Sequence, residues 1–227
     1  MIDRLTWALL LVPLLLAGCG DEHEPDSREY LPWAIERLPD GATRVMGITL
    51  GQTTLGEASA WLGDGYKLGL FGPPGEPLSL EAYYAELTLG MLSARMVLNL
   101  SLPQPQLQGM RKRSSGERVL GEGQERRWMV AESDRQAARG ALIQAITYVP
   151  LVDLTPELVQ SRFGDPSQRL AVAGAEHWLY PGLGLDVVLA QEGRDVLQYV
   201  LPEQFERRLQ SPLEMRSPAG ETVETGT

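Results

Sequence analysis

The chain has 227 residues, 43% of them hydrophobic and 22% charged, with a formal net charge of −10 and one cysteine. That composition describes a folding globular chain, and its acidic balance argues against a nucleic-acid partner and against strong docking onto anionic lipid. With a single thiol no intrachain disulfide can form, so the fold must rest on its hydrophobic core.

At the amino terminus, Arg4 precedes an apolar run from Leu5 to Leu16. This run is too short to span a hydrocarbon core of about 30 Å and reads as the h-region of a cleaved signal. It leads into Leu16-Ala17-Gly18-Cys19, a lipobox with the cysteine directly behind two small residues. The segment resembles the signal peptides of bacterial lipoproteins. That resemblance implies that residues 1–18 are a lipoprotein signal peptide and that the thiol of Cys19 and the new amino terminus carry fatty acyl chains such as palmitate. Two or more chains give stable membrane anchoring where one does not. Gly20, not aspartate, follows the cysteine, so the expected location is the outer membrane, lipid-anchored and facing the periplasm.

Residues 19–42 read as the acylated cysteine, an acidic tether over Gly20–Glu29 that is poor in apolar groups, and a short helix over Tyr30–Leu38 closed by Pro39-Asp40-Gly41. A first αβ module is expected over 43–105. Thr54 followed by Glu57 is a capping box that opens a helix ending at Gly63. Gly72-Pro73-Pro74-Gly75 then forces a loop ahead of strands over Leu80–Leu87 and Leu92–Leu102. In the second of these, Met96, Leu98 and Leu100 alternate with Arg95, Asn99 and Ser101.

Residues 106–147 form a connecting segment. Arg111-Lys112-Arg113 and Arg126-Arg127 bracket Gly116, Gly121 and Gly123 in a hairpin or loop. These five cations either form a docking face for an acidic partner or anionic head groups, or are a solvated surface balanced by Glu117, Glu122 and Glu125. Ser133 with Gln136 then marks a second capping box for an alanine-rich helix running toward Ile146, with Ala138, Ala141, Leu142 and Ala145 on one face. A second αβ module is expected over 148–210. Thr155-Pro156 opens a helix that stops at Gly164, and a three-stranded meander follows over Glu176–Tyr180, Gly184–Gln191 and Asp195–Leu201. Residues 211–227, rich in Pro and Gly, read as a disordered tail.

The two modules align at an offset of 101: Leu50 falls on Leu151, Thr54 on Thr155, and Gly63-Asp64 on Gly164-Asp165. A Thr-capped helix, a Leu-Gly-Asp or Phe-Gly-Asp-Pro turn and following antiparallel strands make each half resemble the small SmpA/OmlA (BamE-like) outer-membrane lipoproteins. The tandem is also similar to the β-lactamase inhibitory proteins. Residues 106–147 have no counterpart in either unit, and no partner-binding residue carries over from the resemblance.

Catalytic chemistry has little to stand on. His23 lies in the tether, and His177 sits on a strand between Glu176 and Trp178, where sequential neighbours point to opposite faces. With no second structured histidine and no free thiol, no metal or cofactor is expected. Nucleophile elbows and phosphate loops are missing from the sequence. Gly182-Leu183-Gly184 reads as a turn, and Asp153, Asp165 and Asp186 as scattered carboxylates. The expected fold is therefore α+β: two small modules, each a short helix on an antiparallel sheet, joined by a basic hairpin and an alanine-rich helix. The expected role is a membrane-anchored, non-enzymatic, protein-binding accessory or scaffold in the cell envelope with an envelope protein as partner. The alternative is an inhibitor or ligand-binding module using the two sheet faces, and a cryptic hydrolase stands behind both.

Overall fold

The computed structural model describes residues 30–73, 77–120 and 126–217; the signal segment, Cys19 and the tether lie outside them. The described chain opens with three short strands, β1 (Ile35–Arg37), β2 (Thr43–Val45) and β3 (Ile48–Thr49), in a small antiparallel sheet. The helix expected over Tyr30–Leu38 does not form. Pro39-Asp40-Gly41 turns a hairpin instead: Gly41 takes φ +85°, Asp40 accepts the Ala42 N–H at 3.0 Å, and Ile35–Arg37 pairs with Thr43–Val45.

Helix α1 (Leu55–Leu62) starts where the capping box places it, with Thr54 and Glu57 exchanging hydrogen bonds. Gly56 lies within this helix because a Cβ there would press on the Arg139 carbonyl at 3.1 Å. Strands β4 (Lys67–Gly72), β5 (Ser79–Leu89) and β6 (Leu92–Ser101) follow as a meander, and β6 buries Met96, Leu98 and Leu100 as its alternation requires. Helix α2 (Gln104–Arg113) leads into a hairpin of β7 (Ser115–Val119) and β8 (Arg126–Met129), whose β8 pairs with β4.

The alanine-rich helix is much shorter than expected. Helix α3 (Arg135–Arg139) has five residues and no side-chain cap from Ser133, and the chain from Leu142 to Pro150 is a strand, β9. The pairing of β9 with β6 slips by one residue between Asn99 and Leu100, so that Asn99 faces Ala145 and Leu100 faces Ile143. This bulge puts the buried Ile143 and Ile146 three residues apart, a spacing that imitates a helix although the backbone is extended.

Helix α4 (Pro156–Phe163) begins at Thr155, whose hydroxyl accepts the Leu158 N–H at 3.2 Å. The meander after it has four strands rather than three: β10 (Gln168–Val172), β11 (Ala175–Tyr180), β12 (Leu185–Ala190) and β13 (Val196–Val200). All strands from β4 onward belong to one antiparallel sheet in the order β10-β11-β12-β13-β9-β6-β5-β4-β8-β7. The protein is thus α+β, and the two halves share a continuous sheet in which β9 pairs with β6 on one side and β13 on the other.

One face of the sheet carries the main core, where Met96, Leu98, Tyr148, Trp178 and Tyr199 pack with α1, α2 and α4. Behind the second half lies a smaller cluster of Leu170, Val172, Leu179, Val200 and Phe205, covered by Leu209 and Leu213. The start of the expected disordered tail is therefore ordered. Glu206–Gln210 is π-helical and continues into helix α5 (Ser211–Glu214), because Leu209 and Leu213, one turn apart, have an apolar face to cover.

Candidate interaction surface

The basic corner is built by α2 and the β7–β8 hairpin at one edge of the large sheet. Arg111, Lys112 and Arg113 occupy the last turn of α2, where cations favour the carbonyl end of the helix. The five cations do not act as one patch. Arg113, itself exposed, grips buried Asp134 with Nε at 3.1 Å and Nη2 at 2.6 Å, tying α2 to the turn before α3; that hydrogen bond raises the guanidinium above its ordinary value. Arg126 pairs with Glu117 across the hairpin and holds that carboxyl below the usual range. Arg127 stacks over Phe71 at 5.7 Å.

Arg111 and Lys112 are exposed and border an open groove of about 640 Å³ with Gln108, Glu117 and Trp128. The Arg111 guanidinium sits 4.7 Å over the Trp128 ring, a cation–π contact that fixes an otherwise mobile side chain. Beside the groove, β7 is the outermost strand of the sheet, and each of its five residues is exposed. Met129 and Val119 add exposed apolar surface there. Trp128 and the edge strand were invisible to sequence reasoning: β7 reads Ser-Gly-Glu-Arg-Val, with no alternation to betray it, and Trp128 follows two arginines that draw attention to charge.

The structure places the remaining candidates elsewhere. His177 and Glu176 point to opposite faces, as strand geometry requires, but His177 meets Asp186 on the adjacent strand at 2.9 Å. Burial raises the Asp186 carboxyl and the His177 hydrogen bond opposes that rise. At 8% and 0% exposure the pair is closed to solutes, and the second Asp186 oxygen has no hydrogen-bond partner. Asp153 is exposed 3.8 Å from Arg194, and Asp165 accepts a hydrogen bond from Gln160 at 2.7 Å. Among the described residues no group of three His, Cys, Asp or Glu side chains converges, and no helix is long and apolar enough to cross a membrane. No family model, curated protein or solved structure matches the chain.

Proposed function

We propose that this protein is an outer-membrane lipoprotein, acylated at Cys19 and facing the periplasm, that serves as a protein-binding accessory in the envelope. Its partner contributes an extended, acidic segment that lies along β7 beside Arg111 and Lys112. The observation that carries the reading is that, among the described residues, β7 is the outermost strand of a ten-stranded sheet and is exposed at every residue. An edge strand offers unpaired backbone donors and acceptors to an added strand, and adjacent cations select the charge of what is added. The lipobox residues, and a glycine rather than an aspartate directly after the cysteine, support the address.

A photo-crosslinking side chain at Val119 tests this in intact envelopes. The expected result is a discrete protein adduct from position 119 but not from exposed Thr88 on β5, lost when Arg111→Glu and Lys112→Glu reverse the adjacent charge. An adduct that survives the reversal would remove the basic corner from the proposal, and no adduct at all would overturn the edge-strand reading.

A further inference from the structure

The end of the sheet opposite the α2 N-terminus carries an unusual concentration of exposed apolar side chains. Met91, in the β5–β6 turn, is 99% exposed; Leu151 and Val152, directly after β9, are 40% and 55% exposed. They adjoin each other, because the Leu151 N–H donates to the Ser93 carbonyl at 2.9 Å. The chain enters the fold at this same end. Leu31 lies against the Gly90 backbone, and Trp33 lines a small apolar cavity of about 60 Å³ with Leu92, Pro150 and Val152.

Position along the chain says what this tip meets. Cys19 precedes Leu31 by only a dozen residues, which even at full extension reach no more than about 40 Å. A chain acylated at Cys19 therefore keeps this end of the molecule, where the chain enters the fold, within reach of the bilayer. We infer that the Met91, Leu151 and Val152 tip rests in the membrane interface, as a second, non-covalent contact beside the acyl anchor. Its charges point to a zwitterionic phospholipid surface: Asp153 offsets Arg194, and Arg162, stacked on Trp33 at 4.5 Å, is a single cation beside them rather than one of the clusters of about four or more that select anionic lipid. Apolar side chains at the headgroup boundary add affinity in proportion to the area they bury and fix the orientation of the end that carries them. With the tip down, the β7 edge faces away to one side of the anchored end, open to a partner.

This inference rests on acylation of Cys19, and its test separates the two. The mature lipidated protein is reconstituted into phosphatidylcholine vesicles with an environment-sensitive fluorophore on Met91→Cys, Val152→Cys or, as control, Ser101→Cys. Acylated Cys19 leaves no competing thiol. Ser101 lies at the other end of β6, about 30 Å away at strand rise. The expected result is at least a twofold loss of emission to a lipid-borne quencher from positions 91 and 152, and none from position 101. If the protein floats with the vesicles and all three positions respond alike, the tip contact is overturned while the anchor stands. If the protein does not float, the anchor fails and the tip contact fails with it.

Discussion

Replacing Trp178 and replacing its neighbour His177 should both destabilise the protein, the first equally at every pH and the second increasingly as pH rises. Trp178 is 1% exposed, sits in the main core and carries the Arg169 guanidinium 3.8 Å above its ring. Truncating such a residue to alanine costs about 3–5 kcal/mol, which for a domain of this size lowers the melting temperature by about 6–20 °C. A tryptophan side chain carries no titratable group, so the deficit should be the same from pH 4.5 to 7.5. His177 points to the other face, and the sequence alone offers no reason for it to be covered; the structure buries it beneath the smaller core. His177→Ala leaves the Asp186 carboxylate buried with neither oxygen paired, and breaking a buried pair in this way costs about 3–5 kcal/mol when the survivor is charged. Burial raises the Asp186 pKa in the fold, so its contribution to stability is greatest at or below the ordinary carboxylate range and falls as pH rises toward the folded value. His177 opposes that rise, and removing it carries the fall to higher pH, at up to about 1.4 kcal/mol per pH unit. Urea melts of a chain beginning at Gly20, run at several pH values, separate the two cases. A His177→Ala deficit that stays flat with pH, or a Trp178→Ala deficit below about 1 kcal/mol, would refute the reasoning.

Other substitutions probe separate links. Cys19→Ala should abolish incorporation of a fatty-acid analogue and release the protein from the outer-membrane fraction; unchanged labelling would exclude Cys19 as the acylation site. Tyr199→Phe removes a buried hydrogen bond of 2.6 Å to the Pro32 carbonyl and should cost about 1–2 kcal/mol in a urea melt, with faster amide exchange around residues 31–35; an unchanged midpoint would mean that the amino-terminal segment is not held by this contact. Gly184→Ala forces a Cβ into the Val200 carbonyl at φ +67° and should prevent soluble accumulation of the chain, whereas a well-folded variant would show that the β11–β12 turn can relax.

How much of this fold could be read from the sequence depended on whether the signal was local. The Thr54 and Thr155 caps were legible because each needs only its own turn: a glutamate three residues on, or a proline immediately after. Strands β6 and β11–β13 were legible from their alternation or their β-branched and aromatic content. Strand β4 escaped because Gly69 and Gly72 dilute it, and a Cβ at Gly69 would meet the Phe71 ring. Helix α2 escaped because it buries only Leu107 and Met110 and starts between prolines. Strand β9 was misread for a sharper reason. A bulge near Gln144 converts the two-residue period of a strand into a three-residue one, so only the pairing with β6 and β13 reveals what the segment is. The place of β7 as the outermost strand among the described residues is also a property of the assembled sheet, written in no short run of residues.

The two halves share a device that the sequence offset only hints at. The Tyr84 hydroxyl donates to the carbonyl of Gly63, the residue that stops α1, at 2.9 Å; the Tyr180 hydroxyl donates to the carbonyl of Gly164, which stops α4, at 3.0 Å. Each contact ties a helix end to a meander strand and caps a carbonyl that would otherwise lack a partner. Burial raises both phenols, that of Tyr180 to about 12, so neither bond is lost to ionisation in any neutral compartment. Between these two anchored helices runs β9, and its position explains why the halves cannot be separated without loss. It leads directly into Thr155 and α4, closes the second meander against β13, and covers the open side of β6. A cut on either side of it would leave one meander with an unpaired apolar edge. The same strand delivers Pro150, Leu151 and Val152 to the end of the sheet where the described chain begins, so one element sets both the unity of the fold and the composition of that exposed end.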